Sequence, residues 1–239
     1  IPQLGLAETE HNTLTGVTAT RDLYPDWSPD GKTIVFNSDR AAGTGNGFDL
    51  YTINADGSAF KRLTSSEESE EAPVWSPDGQ HILYSAYLTN QNSELFLIDK
   101  HASKKTRLTN SPGRDGHAKF APNGKSIVFN SQRDETQGYE IYEMNLATSE
   151  VVRLTNFEGW DTYADVSPDG SKIAWRRIVP TGGSSESGRN SEVFVMNRDG
   201  SNPVNVSNHP DFDGYPAWSP DGSKLIFASN RGRSGDDRG

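Results

Sequence analysis

Five four-residue turns recur along the chain at spacings of 48, 45, 46 and 52 residues: Ser28-Pro29-Asp30-Gly31, Ser76-Pro77-Asp78-Gly79, Ala121-Pro122-Asn123-Gly124, Ser167-Pro168-Asp169-Gly170 and Ser219-Pro220-Asp221-Gly222. Hydrophobic residues make up 32% of the chain, against 23 Gly and 13 Pro, a balance that favours short strands and tight turns. No 3.6-residue apolar rhythm of a helical solenoid runs through the repeats. Together these observations predict an all-β fold, a β-propeller of four-stranded antiparallel blades. The expected number is five, with a fragment of a six- or seven-bladed propeller as the alternative.

Each element of the repeat has its own reason. In the turn, Pro fixes φ at the first corner, Asp or Asn tolerates the second, and Gly adopts the left-handed conformation without steric cost. A short strand precedes it, as at Tyr24 to Trp27, Pro73 to Trp75 or Tyr215 to Trp218. An apolar strand follows: Thr33 to Asn37, His81 to Ser85, Ser126 to Asn130, Lys172 to Trp175 and Lys224 to Ala228. After a variable loop comes a third strand at Asp49 to Ile53, Glu94 to Ile98, Glu140 to Met144 and Glu192 to Met196. A second turn, such as Asn54-Ala55-Asp56-Gly57, leads to a fourth strand ending in Arg62-Leu63-Thr64, Arg107-Leu108-Thr109 or Arg153-Leu154-Thr155.

The whole chain, 1–239, is then one domain with blades anchored at Ser28, Ser76, Ala121, Ser167 and Ser219. Counting from Ser219 through Gly239 and on from Ile1 to Ser28 gives 48 residues, the internal period. The last blade would therefore take its inner strands from the C-terminal part and its outer strands from the N-terminus, with Asn12 to Thr15 in the place of Arg-Leu-Thr. Closure of this kind removes sheet edges. Pro2 to Leu6 would be a poor third strand.

The run of Tyr or Pro, then Trp-Ser-Pro-Asp-Gly, an apolar strand, Ser-x-Arg and a closing Arg-Leu-Thr resembles the TolB-type propeller repeat, over nearly the whole chain. The resemblance implies a scaffold that works through protein contacts in the cell envelope, hence a periplasmic or secreted location. It does not by itself transmit an activity.

Composition excludes several classes. The formal net charge of −10 opposes the counterion release on which a nucleic-acid surface depends. There is no cysteine, hence no disulfide, thiolate zinc site or cysteine nucleophile. No apolar run approaches the ~18 residues of a membrane span, and residues 1–10 lack a basic region followed by an apolar stretch. His11, His81, His101, His117 and His209 show no metal spacing, Asp56-Gly57 and Asp199-Gly200 lack the further oxygen ligands of a calcium loop, and there is no Gly-x-Ser-x-Gly elbow or phosphate-binding glycine loop. No metal, cofactor or catalytic residue is expected.

Binding residues are sought on the face from which the long loops leave, around 41–47, 88–92, 134–138, 179–190 and 232–239. Six residues before each turn serine, or Ala121, stands an acid: Asp22, Glu70, Asp115, Asp161 and Asp213. Twelve residues after it stand Arg40, Leu88, Arg133, Val179 and Arg231. These offsets predict that Asp22 with Arg40, Asp115 with Arg133 and Asp213 with Arg231 face each other across two strands as structural ion pairs. Glu70 and Asp161 lack that arginine, although Arg176 and Arg177 could compensate Asp161 in part. They are expected to be solvated, or free acids at the channel mouth, so Glu70→Gln with Asp161→Asn should weaken a ligand and leave thermal stability almost unchanged. Tyr24, Ala72, His117, Tyr163 and Tyr215, four residues before each turn, would form an aromatic collar if the inner strands line the channel, or else pack between blades. Trp27, Trp75 and Trp218 are assigned to blade packing.

Three functions compete. The first is a non-catalytic scaffold that presents its channel mouth, with Glu70, Asp161, Tyr24, His117, Tyr163 and Tyr215, to a protein or peptide. The second is a carbohydrate-active hydrolase or lyase using channel-mouth carboxylates and tyrosines, for which Glu70 and Asp161 stand two blades apart. The third is the propeller of a serine peptidase without its hydrolase domain.

Overall fold

The computed structural model describes residues 20–41, 47–134, 138–179 and 190–231. These residues form strands and turns, without a helix. Blade one contains β1 (Asp22–Trp27), β2 (Thr33–Ser38), β3 (Asp49–Asn54) and β4 (Lys61–Arg62). Blade two contains β5 (Ser69–Trp75), β6 (His81–Thr89), β7 (Asn92–Asp99) and β8 (Lys105–Arg107). In blade three stand β9 (Asp115–Phe120), β10 (Ser126–Ser131), β11 (Glu140–Asn145) and β12 (Val151–Arg153), and in blade four β13 (Trp160–Val166), β14 (Lys172–Val179), β15 (Asn190–Asn197) and β16 (Val204–Asn205). Each of these sheets is an antiparallel meander in chain order. A fifth sheet pairs β17 (Asp213–Trp218) with β18 (Leu225–Ser229).

The Ser-Pro-Asp-Gly turns are closed by their own side chains. Ser28 Oγ donates to Asp30 Oδ1 at 2.6 Å and accepts the Thr33 amide at 2.9 Å, while the Gly31 amide reaches the Ser28 carbonyl at 2.8 Å. The hydroxyl holds the Asp30 carboxyl below its usual range. Ser76, Ser167 and Ser219 make the same contact to Asp78, Asp169 and Asp221. Ala121 has no hydroxyl, and its turn keeps the backbone bond and the Asn123 cap on Lys125.

The Arg-Leu-Thr endings latch the third strand. Arg107 and Arg153 pair with Glu94 and Glu140 at 2.9 and 2.8 Å. Thr109 and Thr155 accept the amides of Leu95 and Ile141 and donate to those same glutamates. In blade one the third strand carries the shorter Asp49, which Arg62 reaches at 2.7 Å. There the Thr64 hydroxyl turns to Glu70 of the next blade instead.

Strand alternation divides the core between blades. Val35 and Leu50 of blade one meet Ile82, Tyr84 and Phe96 of blade two. Leu83 and Leu95 point the other way, to Ile127 and Phe129 of blade three, and Val128 and Ile141 pack on Ile173 and Trp175 of blade four. Asp26 accepts the Trp75 amide at 2.8 Å and Asp165 accepts the Trp218 amide at 2.9 Å, two staples between successive blades.

Trp75 packs in the interface between blades one and two, whereas Trp27 is 56% exposed. No described element covers that side of β1, and the segment expected to pack there lies outside the described residues. The far side of the fifth sheet is similarly open, with Ile226 of β18 68% exposed. The N-terminal strands expected to close the ring, including Asn12 to Thr15, lie outside the described residues. No helix among the described residues is long and apolar enough to cross a membrane.

Candidate functional site: a divided central channel

The inner strands β1, β5, β9, β13 and β17 stand side by side in that order. Each carries a β-bulge against its neighbour, and in each the residue four before the turn has a left-handed backbone: Tyr24 (φ 50°), Ala72 (51°), His117 (48°), Tyr163 (55°) and Tyr215 (55°). Non-glycine residues adopt this region at a cost, and here the bulge re-aims the side chain from the blade interface to the axis. The five residues line one chamber of about 240 Å³, on the side of the Ser-Pro-Asp-Gly hairpins.

The rings meet across the channel. His117 lies 5.7 Å from Tyr24 and 4.2 Å from Tyr163, centroid to centroid, and Tyr163 lies 4.6 Å from Tyr215 in an edge arrangement. His117 and Tyr163 also line a second chamber of about 320 Å³ on the loop side, so they form the partition between the two. Burial, with Arg176 and Lys119 nearby, lowers the His117 imidazole to about 4, which keeps it neutral at physiological pH. Burial pushes the Tyr163 hydroxyl up.

The chambers differ in character. The hairpin-side one is walled by Pro25, Pro73 and Pro216 and carries Asp26, Lys119 and Asp165. Burial raises both carboxyls, against the pull of Lys119 and of the amide each accepts. The loop-side chamber is polar, with Glu71, Arg114, Asn130 and Arg176 beside Tyr87, Tyr139 and Trp160. Burial also raises Glu71, and it pushes the Tyr87 hydroxyl up to about 12.

The acids of the repeat stand elsewhere. Arg40 contacts Asp22 at 2.6 Å, Arg133 contacts Asp115 at 2.9 Å and Arg231 contacts Asp213 at 2.5 Å. They do not face each other in register: the strand partners of the acids are Ser38, Ser131 and Ser229. The arginine two residues further on reaches back to the acid. Arg40 and Arg133 brace Nε on that serine's hydroxyl, and they lie over Phe60 and Phe129 at 4.6 and 4.9 Å.

Glu70 and Asp161 are neither solvated nor free. Asp161 is buried in a two-point pair with its direct strand partner Arg177, Nε to Oδ1 at 2.8 Å and Nη2 to Oδ2 at 2.6 Å. In blade four the cation sits directly opposite the acid instead of two residues beyond. Glu70 is buried, accepts from Thr64 and from Ser66 at 3.0 Å, and has Lys105 at 3.8 Å. Burial raises its carboxyl despite these partners. Neither acid lines either chamber.

Comparison with known proteins places this geometry. Residues 68–181 match the family model described as the TolB beta propeller domain. The repeats within that segment are of the TolB β-propeller type. A solved structure, the putative TolB from Agrobacterium tumefaciens, is 25% identical and superposes with a TM-score of 0.73, covering 89% of this chain and 71% of that one. Among curated proteins, the uncharacterized peptidase YuxL of Bacillus subtilis is 28% identical over 151 residues, 48% of this chain and 22% of the relative. The Tol-Pal system protein TolB of Francisella tularensis subsp. holarctica is 32% identical over 85 residues, 36% of this chain and 19% of the relative. The chain thus spans about a fifth of the length of these curated relatives.

In this propeller the collar residues stand together, while the two acids expected beside them stand in buried contacts between strands and blades. Sequence reasoning missed the charges that do line the channel: Asp26, Lys119 and Asp165 two residues before the turns, and Glu71, Arg114 and Arg176. A signal existed for Arg176. Nine residues after each turn serine, or Ala121, stand Asn37, Ser85, Asn130, Arg176 and Ala228, and only one of these carries charge.

Proposed function

We propose that this TolB-type propeller is a non-catalytic scaffold that captures a polypeptide segment at the loop-side mouth of its channel. The observation that carries the reading is the partition: His117 and Tyr163 close the floor of an aromatic-walled, polar chamber into which an extended segment can insert without passing through. Amphipathic rings supply contact area at low entropic cost, and the polar groups supply orientation. The relative named as a Tol-Pal system protein supports the scaffold reading and, with the repeat resemblance, a periplasmic or secreted location.

A carbohydrate-active site built on Glu70 and Asp161 has no support, because both acids are buried away from the chambers. The test is selection of binding peptides from a random library on the immobilised protein. Capture should fall about tenfold or more in Tyr87→Ala and Trp160→Ala at unchanged fold. Undiminished capture by both variants would contradict the assignment.

A further inference from the structure

The loop-side chamber contains a buried cation whose terminal donors are unused among the described residues. Arg176 is 8% exposed; its Nε donates to Thr162 Oγ1 at 3.2 Å, and among the described residues its terminal nitrogens have no acceptor and no carboxylate partner. Its guanidinium lies over Tyr163 at 4.8 Å and Tyr215 at 5.2 Å, ring faces that attract the charge without accepting a pair of hydrogen bonds. By contrast Arg40, Arg133, Arg177 and Arg231 are each neutralised by an aspartate. Leaving a buried guanidinium unpaired is costly.

The position is built for it. Arg176 crosses the inner strand of the fifth sheet at Gly214, where a Cβ would stand 2.6 Å from its Cδ. Arg114 lines the same chamber, donates to the Asn90 carbonyl at 2.6 Å and, among the described residues, has no carboxylate within pairing distance. Glu71 is the one acid among the described lining residues, so among them two guanidiniums stand against one carboxylate in a chain of net charge −10. Asn130, 2% exposed and also in the lining, leaves its Oδ1 without a donor.

We infer that the loop-side chamber recognises a free carboxylate, gripped by the terminal nitrogens of Arg176, while an N–H or O–H of the same ligand donates to Asn130 Oδ1. The fork of a guanidinium matches a carboxylate at two points, and charge-assisted bonds of this kind are the stronger ones. The inference deepens the binding role proposed above and rests on it. A peptide C-terminus and a small hydroxy or uronic acid share this chemistry.

The experiment measures binding of N-acetyl-glycylglycine, its C-terminal amide and galacturonate by NMR titration, on the wild type, Arg176→Gln and Arg176→Lys, with melting curves for each protein. The acid should bind, and amidation or Arg176→Gln should each weaken it about tenfold or more, with Arg176→Lys in between because it keeps charge without the fork. Galacturonate binding that depends on Arg176, with no peptide binding, would keep the carboxylate inference and remove the peptide reading. Equal affinity for acid and amide on the wild type, or no binding of either acid at about 10 mM, would overturn the inference. Capture of end-blocked peptides equally by wild type and Arg176→Gln would also overturn it and leave polypeptide capture standing.

Discussion

Asp161 and Arg177 are direct strand partners joined at two points, and that pair is buried where an unpaired acid at the channel mouth would have been exposed. Removing one member of a buried pair strands the other charge, at a cost of about 3–5 kcal/mol. Arg177→Met is therefore expected to lower stability by that order in chemical denaturation. Arg21→Met, which breaks an exposed pair with Asp39, is expected to cost about 1 kcal/mol or less. Equal costs for the two would show that burial does not set the difference. The Glu70→Gln, Asp161→Asn double variant should be destabilised, contrary to the sequence expectation.

The left-handed backbone at Ala72 gives a second expectation. Ala72 has φ 51° and contributes only a methyl group to the collar position. Ala72→Gly removes the Cβ penalty, so a gain of about 0.5–1 kcal/mol should appear in the denaturation midpoint. A loss of similar size would show that the methyl contact outweighs the backbone term.

Much of the frame was legible because it is written in local chemistry. Ser-Pro-Asp-Gly specifies a hairpin through one hydroxyl, one carboxylate and one glycine, and its four copies, with Ala121-Pro122-Asn123-Gly124 in register between them, specify radial sheets. The collar was legible as a frame position. The bulge that turns Tyr24, His117, Tyr163 and Tyr215 to the axis was not, since it shifts strand register without a sequence mark of its own. That shift moves the register by one residue and so accounts for half of the two-residue displacement between each arginine and the strand partner of its acid; the register of the hairpin itself supplies the rest. The buried state of Glu70 depends on Thr64 and Ser66 of the preceding repeat, a contact between blades that a count within one repeat does not contain.

His117 supplies a pH expectation. Its folded-state value is lowered to about 4, so between that value and the ordinary 6.5 the unfolded chain binds a proton that the folded chain does not. This group's contribution to stability is therefore lost as pH falls from about 6.5 towards 4. Its ring resonances in NMR should titrate near 4, and His117→Phe should lose less stability than the wild type across that window. A midpoint near 6.5 would mean that the partition is open to water.

Arg176 gives an expectation of opposite sign to that of Arg177. An unpaired buried guanidinium replaced by a neutral side chain of similar length should leave the melting temperature unchanged or raised. Arg176→Met is the variant to measure, and a large drop in its melting temperature would show that stacking on Tyr163 and Tyr215 holds the fold.

The account centres on capture of a ligand at the loop-side chamber, so the most direct measurement is the footprint of a library-selected peptide by backbone and side-chain NMR. The footprint should fall on Tyr87, Gln132, Trp160 and Arg176 and leave Asp26 and Lys119 unchanged. Shifts centred on Asp26, Lys119 and Asp165, or on the exposed edge at Ile226, with the loop-side residues unmoved, would contradict it.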